Sequence, residues 1–351
     1  MTWLQTCVAA VVLAVIGCPV VAQGDDAALE RARRVLKKAI LFDGHNDLPW
    51  AIRTYEKAPG DLAAYDLRRR APGQTDLERL RLGGVGAQFW SVYVPGEATG
   101  AARTQLEQID LTRRLIARYP EALRLAGTAA EIQAAHRAGR IGSMLGIEGG
   151  HAIENSLGAL RAYYDLGVRY MTLTHNTHTD WADSAAQDPP RWHGLNAFGE
   201  EVVHEMNRLG MLVDLSHTSP ETMDDALRVS RAPVIFSHSA ARALCDVPRN
   251  VPDDIVRRLP ANGGVLMITF VSGFIDENVA KVMGPAIAEF NTRARDPSLT
   301  DADRTRLQAE IFGKLDMPRT TIAKVADHIE HVRKVGGLEH VGLGGDFGGK
   351  H

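Results

Sequence analysis

The sequence contains 351 residues, of which 45% are hydrophobic and 24% are charged. Its 40 Lys and Arg residues against 43 Asp and Glu residues give a net charge of -3 at pH 7. A protein that neutralises nucleic-acid phosphates needs clustered excess Lys and Arg, so this balance argues against nucleic-acid binding. The ordinary apolar content argues against a disordered acidic chain, and the length is sufficient for a large buried core.

Residues 1–22 carry no charged side chain, and the stretch from Val8 to Ile16 is continuously apolar. This run has the length of a signal-peptide core and is too short to span a bilayer as a helix. The small residues before Gln23 predict a cleavable signal peptide over residues 1–22, export to the periplasm or medium, and a mature chain without a transmembrane span. The alternative is lipoprotein-type cleavage before Cys18, which would leave a lipid-anchored protein. We interpret Cys245 as a small core residue.

Eight short apolar runs of strand length recur along the rest of the chain, and amphipathic stretches separate them. The runs lie at residues 39–42, 87–94, 141–147, 169–174, 211–215, 233–236, 264–270 and 340–343. Strands that alternate with helices indicate a parallel sheet built from βαβ units. Eight of them predict a (β/α)8 TIM barrel, formed by residues 23–351 as a single domain.

Most of these runs end in a residue that can bind a metal ion. The carboxyl ends of the strands in such a barrel all point to one face, so residues far apart in sequence are expected to converge there. Imidazoles and carboxylates that meet in one pocket suit zinc or a similar divalent ion. Taken singly, a histidine after a strand is more often a hydrogen-bonded structural residue than a ligand, and Asp346 or Glu148 is equally well explained as a cap or loop anchor. Their recurrence at strand ends favours a metal centre. The set comprises His45, Asp47, Glu148, His175, His217, His238 and Asp346.

Several long segments resemble the membrane dipeptidase (renal dipeptidase) family of zinc peptidases, peptidase family M19. They include FDGHNDLPW, GIEGGHAIEN, LTHNTHTDWADS, PVIFSHSAARALCDVPRNVPDDI and VGLGGDF, and they follow one another in the order found in the family. The resemblance implies a barrel of the metal-dependent hydrolase type with two zinc ions per chain. His45 and Asp47 would bind one ion and His217 and His238 the other, with Glu148 bridging the two.

The resemblance also implies roles for three residues that face the substrate. His175 would lie near the scissile bond, Arg249 would bind the substrate carboxylate, and Asp346 would pass a proton from water to the leaving amine. Two zinc ions lower the pKa of a shared water, so that hydroxide is available near neutral pH to attack the peptide carbonyl. We therefore predict a zinc dipeptidase that cleaves free dipeptides, including some with a D-residue at the C-terminal position. Its relatives are often dimers, so a homodimer is one oligomeric state that the resemblance leaves open.

Two features of the chain leave alternatives open. Members of the family continue beyond the last strand, whereas this chain stops soon after Asp346, so the domain is predicted to be C-terminally truncated with its final helix missing. The polar stretch at residues 271–318 is predicted to be a helical insertion, either a lid or a solvated excursion.

The alternative functions are another binuclear amidohydrolase, acting on N-acyl amino acids or lactones, and an inactive truncated relative. Such amidohydrolases commonly carry a His-x-His pair after the first strand, whereas this chain has His45 and Asp47 there, which favours the dipeptidase.

Overall fold

The computed structural model describes residues 23–348, apart from residues 97, 99, 295 and 297. The predicted signal peptide and the alternative cleavage site at Cys18 lie outside these residues. The chain divides into two units between Ala39 and Ile40. The first unit contains helix α1 (Gln23–Leu36), and the second contains the strands and the remaining helices of the described residues. Within the described part of the chain, no helix has both the length and the apolar character needed to cross a membrane.

Nine parallel strands form one sheet in the described residues, and eight of them close into a barrel. The strands are β1 (Leu41–Asp43), β2 (Val85–Ser91), β3 (Leu123–Leu125), β4 (Ile141–Glu148), β5 (Val168–Thr172), β6 (Leu212–Asp214), β7 (Ile235–Ser239), β8 (Val265–Ile268) and β9 (Val341–Leu343). Closure arises because β2 pairs with both β1 and β4, while β9 pairs with β1. The order around the barrel is β1-β2-β4-β5-β6-β7-β8-β9.

Each of the eight predicted apolar runs overlaps one barrel strand, so the predicted (β/α)8 barrel is confirmed. The ninth strand, β3, was not predicted. It pairs only with the first residues of β4, next to the point where β5 pairs with the remainder of that strand. Three residues, one of them arginine, give no apolar run that sequence patterning can detect.

The strands alternate with helices, as the amphipathic stretches between the apolar runs predict. Several helices begin at a side chain that accepts a hydrogen bond from the first turn, as Thr128, Ser156, Asn196 and Ser219 do. The helices of the second unit are α2 (Leu48–Arg53), α3 (Leu77–Leu82), α4 (Ala101–Arg118), α5 (Ala129–Arg137), α6 (Leu157–Asp165), α7 (Ala197–Leu209), α8 (Pro220–Val229), α9 (Asp253–Val256), α10 (Leu259–Asn262), α11 (Ser272–Ile275), α12 (Glu277–Arg293), α13 (Asp301–Phe312) and α14 (Ile322–Gly336).

The connection between β8 and β9 contains α11, α12 and α13 before α14, so the predicted insertion at residues 271–318 is helical. Part of it has a small apolar core of its own, formed by Ala286, Ala294, Leu307 and Ile311. Its action as a lid stays a prediction, as does the C-terminal truncation of the domain. All three residues of β9 are half-buried, whereas every residue of β4 is buried.

Candidate active site

The carboxyl ends of the barrel strands hold the side chains that the sequence predicted to converge. Glu148 is the last residue of β4, and His238 lies within β7. The other residues lie in the loops that follow β1, β5, β6 and β9, namely His45, Asp47, His175, His217 and Asp346. The ligand atoms of these seven residues form three overlapping groups, and the atoms of each group lie within 4.8 Å of one another. We refer to these seven residues as the ligand cluster.

One side of the ligand cluster is built around the imidazole of His45, which is completely buried. Its Nε2 atom lies 3.2 Å from Oδ1 of Asp47 and 3.4 Å from Oε2 of Glu148. Oδ1 of Asp346 lies slightly further away, at 3.9 Å. These three residues come from the ends of β1, β4 and β9, and His45, Asp47 and Glu148 together form one three-residue group able to hold a metal ion.

The second side of the ligand cluster faces the other oxygen of Glu148. Its Oε1 atom lies 3.1 Å from Nε2 of His217 and 3.3 Å from Nε2 of His238. Nε2 of His175 lies 3.8 Å from the same oxygen. Because the two carboxylate oxygens face different sets of ligands, Glu148 is positioned to bridge two cations.

The outward-facing nitrogen of three histidines has its own hydrogen-bond partner. Nδ1 of His45 lies 2.8 Å from the Tyr170 hydroxyl, and Nδ1 of His217 lies 3.3 Å from Oδ1 of Asn176. Nδ1 of His238 lies 2.8 Å from the hydroxyl of the neighbouring Ser237. Such partners fix the ring orientation and leave Nε2 directed at the cluster. Sequence reasoning missed all three partners, although Asn176 and Ser237 each adjoin a predicted site residue in the chain.

The electrostatics of the cluster suit bound cations. Burial, together with the Arg249 charge, holds the pKa of His217 well below its ordinary value. Burial and the neighbouring His45 do the same for the pKa of His238. Both imidazoles are therefore neutral at pH 7, as metal ligands must be. Their Nε2 atoms lie only 3.0 Å apart, and the Asn176 oxygen places the His217 proton on Nδ1. Two nitrogen lone pairs this close to each other and to a carboxylate are stabilised when a cation lies among them.

Arg249 lies at the edge of the cluster and is buried, with 7% of its surface exposed. Its guanidinium donates hydrogen bonds to the Ser239 hydroxyl and to the backbone carbonyl of His238. It also lies over the Phe274 ring at 5.4 Å from the ring centroid. Burial lowers the pKa of Arg249 to about 10, so the side chain keeps its charge at neutral pH. Its Nε atom has no hydrogen-bond partner among the described residues.

Two cluster residues adopt the left-handed backbone conformation, which is unfavourable for residues other than glycine. The φ angles are 65° for His217 and 59° for Asp346. Strain of this kind costs roughly 1–3 kcal/mol per residue and persists only where the surroundings impose it. Here the His217 carbonyl accepts a hydrogen bond from the Ala185 N–H, and the Asp346 N–H donates to the His45 carbonyl. Such strain is concentrated at functional sites in proteins.

The profile of the membrane dipeptidase family, peptidase family M19, matches residues 29–351. The chain belongs to this family. It is 41% identical over 326 residues to dipeptidase 3 of Mus musculus, in an alignment that covers 91% of this chain and 57% of the mouse protein. It is 41% identical over 336 residues to dipeptidase verJ of Clonostachys rogersoniana, covering 92% of this chain and 76% of that protein. The chain thus spans little more than half the length of the mouse relative.

Solved structures share the fold of this M19 chain. A metallopeptidase of the same family, described as dipeptidase AC, superposes with a TM-score of 0.70 at 25% identity, covering 88% of this chain and 85% of its own. The probable dipeptidase PvdM of Pseudomonas aeruginosa superposes with a TM-score of 0.76, covering 92% of this chain and 87% of its own. Because PvdM is only 20% identical to this chain, its similarity shows the shared fold alone.

Proposed function

We propose that this M19 chain is a zinc-dependent dipeptidase that hydrolyses the peptide bond of free dipeptides. The observation that carries the proposal is the position of Glu148, which is buried and presents one oxygen to His45 and the other to His217 and His238. A carboxylate that presents its two oxygens to two different sets of metal-binding side chains suits a binuclear hydrolase. Family membership and the names of the two relatives support the same activity.

The ligand types fit two zinc ions. His45 and Asp47 would hold one ion, His217 and His238 would hold the other, and Glu148 would contribute to both. Nitrogen and carboxylate ligands without thiolates are typical of catalytic zinc sites. When bound, such a metal pair supplies a water nucleophile near neutral pH and polarises the carbonyl that it attacks.

The remaining residues would bind the substrate and move protons. The charged, buried Arg249 would bind the C-terminal carboxylate of the dipeptide, because a guanidinium matches a carboxylate in a two-point hydrogen bond. The Nε2 of His175, on the Glu148 side of the cluster, would donate a hydrogen bond to the oxygen that gains charge in the transition state. The Asp346 carboxylate, beside His45, would accept a proton during attack and deliver it to the leaving amine. Tolerance of a D-residue at the C-terminal position belongs to this proposal.

Export and dimer formation are also proposals for this chain. Export, with cleavage after residue 22 or lipid attachment at Cys18, depends on the sequence of the first residues alone. Mass spectrometry of the protein recovered from the producing cell would distinguish the two N-termini. Light scattering of the purified protein would measure its oligomeric state directly.

The experiment that tests the proposed activity is amino-acid release from a panel of free dipeptides. The panel contains L,L and L,D pairs and the same dipeptides amidated at the C-terminus. We expect cleavage that a chelator abolishes and that amidation suppresses, because amidation removes the charge that Arg249 would bind. Chelator-sensitive hydrolysis of N-acyl amino acids or lactones, without dipeptide cleavage, would contradict the dipeptidase proposal and favour another amidohydrolase.

A further inference from the structure

A chain of buried hydrogen bonds connects His238 to an aspartate that is not itself a member of the ligand cluster. Nδ1 of His238 lies 2.8 Å from the Ser237 hydroxyl, which in turn lies 2.6 Å from Oδ2 of Asp214. Asp214 is the last residue of β6, and Ser237 lies in the neighbouring strand β7. Each of the three residues is completely buried, so water does not compete for these hydrogen bonds.

The surroundings of Asp214 determine the direction of each hydrogen bond in this chain. Its Oδ1 accepts from the backbone N–H groups of Ser237, at 2.8 Å, and Ser216, at 3.2 Å. Its Oδ2 accepts from the hydroxyls of Ser237 and Thr172. A carboxylate can only accept, and it lies 2.6 Å from the Ser237 hydroxyl, whereas the Ser216 hydroxyl lies 3.5 Å away, so the single hydroxyl proton of Ser237 points to Asp214. The Ser237 oxygen must then accept from Nδ1 of His238, which leaves the lone pair of that ring on Nε2.

We propose that Asp214 is a positioning residue that fixes the tautomer of His238 through Ser237 and thereby strengthens binding of the second metal ion. The inference builds on the metal centre of the proposed function. His238 presents Nε2 to Oε1 of Glu148 at 3.3 Å, and only the tautomer protonated on Nδ1 has a lone pair there. Partners of this kind behind a metal ligand change metal affinity about 10–100-fold when they are removed.

Asp214→Asn tests the direction of the hydrogen bonds without changing the shape of the side chain. The two backbone N–H groups still need an acceptor, so the amide oxygen takes the place of Oδ1 and the NH₂ group faces Ser237. The Ser237 hydroxyl then accepts from the amide and turns its proton towards Nδ1 of His238. That arrangement favours the tautomer protonated on Nε2, which cannot bind a metal ion through Nε2. Thr172 tolerates the exchange because its hydroxyl already lies 3.2 Å from the Ile147 carbonyl.

Ser237→Ala provides the second arm of the test because it removes the hydroxyl that transmits the effect. We expect Ser237→Ala to lower the affinity for the second zinc ion about 10-fold and Asp214→Asn to lower it about 100-fold. The double variant should return to the affinity of Ser237→Ala, since it lacks the hydroxyl that would donate to Nδ1 in Asp214→Asn. A purely structural role for Asp214 predicts instead that the double variant is as weak as Asp214→Asn or weaker.

The measurement is zinc binding by the full chain, by competition with a chromophoric chelator and without substrate. Asp276→Asn is the matched control: this aspartate is also buried, but it caps α12, and its carboxylate accepts hydrogen bonds from the Asn278 N–H and the Thr320 hydroxyl. The inference is supported if the double variant binds zinc as tightly as Ser237→Ala and the Asp276→Asn control binds it as tightly as the wild type. An Asp214→Asn chain that binds both ions as the wild type does overturns it, as does a wild-type chain that binds no zinc. Binding in the expected order without dipeptide cleavage would contradict the proposed function and leave this inference standing.

Discussion

At the scale of single residues, the charges of Glu148 and Arg249 set the electrostatics of the ligand cluster. Glu148 lies among four imidazoles, and although burial raises its pKa, His45, His217 and His238 outweigh that effect and hold the pKa well below its ordinary value. It therefore remains an anion that would offset the charge of bound cations. Arg249 supplies a positive charge beside the same cluster, and we expect this guanidinium to favour substrates that carry a free carboxylate.

We expect Arg249→Lys to lower kcat/KM about 100-fold, mostly through a higher KM, because an ammonium cannot form the two-point contact with a carboxylate. The pKa of Arg249 is lowered to about 10 by burial, so the charge is present below that pH and is lost as the pH rises through it. The KM of the wild type should therefore be constant near neutral pH and rise above about pH 10. Steady-state kinetics with free and amidated dipeptides measure both effects. Equal KM values for wild type and variant would contradict this role.

Asp346 should contribute to proton transfer rather than to metal retention. General acid–base catalysis contributes about 100- to 10,000-fold to rates, and we expect Asp346→Asn to lower kcat within that range. Asparagine keeps the size of the side chain, and the Asp346 N–H still donates to the His45 carbonyl. Zinc content, measured by elemental analysis, should stay at the wild-type value. Loss of zinc from the variant would instead identify Asp346 as a metal ligand.

At the scale of the elements, the register between β4 and β5 positions part of the site. Gly146 on β4 pairs with Tyr170 on β5, whose hydroxyl lies 2.8 Å from Nδ1 of His45. A Cβ atom at Gly146 would lie 2.0 Å from the Tyr170 ring, which is completely buried. The absence of a side chain on β4 therefore allows the tyrosine to reach His45.

Gly146→Ala is expected to push the Tyr170 ring out of its place, because the ring cannot move without displacing other buried side chains. Overpacking of this kind costs about 1–3 kcal/mol of stability. We also expect weaker binding of the zinc ion held by His45. Thermal unfolding and zinc competition measure the two effects. Gly158→Ala is the control, since the nearest atom to its new Cβ would be the Ser156 hydroxyl at 3.4 Å; an equal loss in both variants would refute the role of the close contact.

At the scale of the whole molecule, the closed barrel explains how residues from four separate loops and two strands form one centre. The eight barrel strands and the convergence of the seven cluster residues could be predicted from sequence, because apolar runs and the polar residues that end them are local patterns. The hydrogen-bond partners of the histidines could not be predicted in this way. Tyr170 on β5 reaches His45 after β1, although these two strands are not neighbours in the barrel, and Asp214 on β6 contacts Ser237 on the neighbouring strand β7. Both contacts depend on barrel geometry and sheet register, which no local pattern encodes. The left-handed conformations of His217 and Asp346 likewise follow from tertiary contacts.

Metal binding should stabilise the whole fold. A ligand that binds only the folded state adds about 4 kcal/mol per site at 1,000 times its Kd. Removal of zinc by a chelator should therefore lower Tm by about 5 °C or more. Differential scanning calorimetry with and without added zinc measures the shift. In a Glu148→Gln chain, the Tm should respond much less to zinc, and an equal response would show that zinc binds elsewhere.

The central claim is that this ligand cluster is a two-metal dipeptidase centre. The most direct test is to titrate zinc into the metal-free full-length chain while following the hydrolysis of one free dipeptide. We predict no hydrolysis without metal, a rate that rises with added zinc, and a plateau at two equivalents per chain. Glu148→Gln should show no activity at any zinc concentration. Hydrolysis by the metal-free chain, or by Glu148→Gln at the wild-type rate, would contradict the claim.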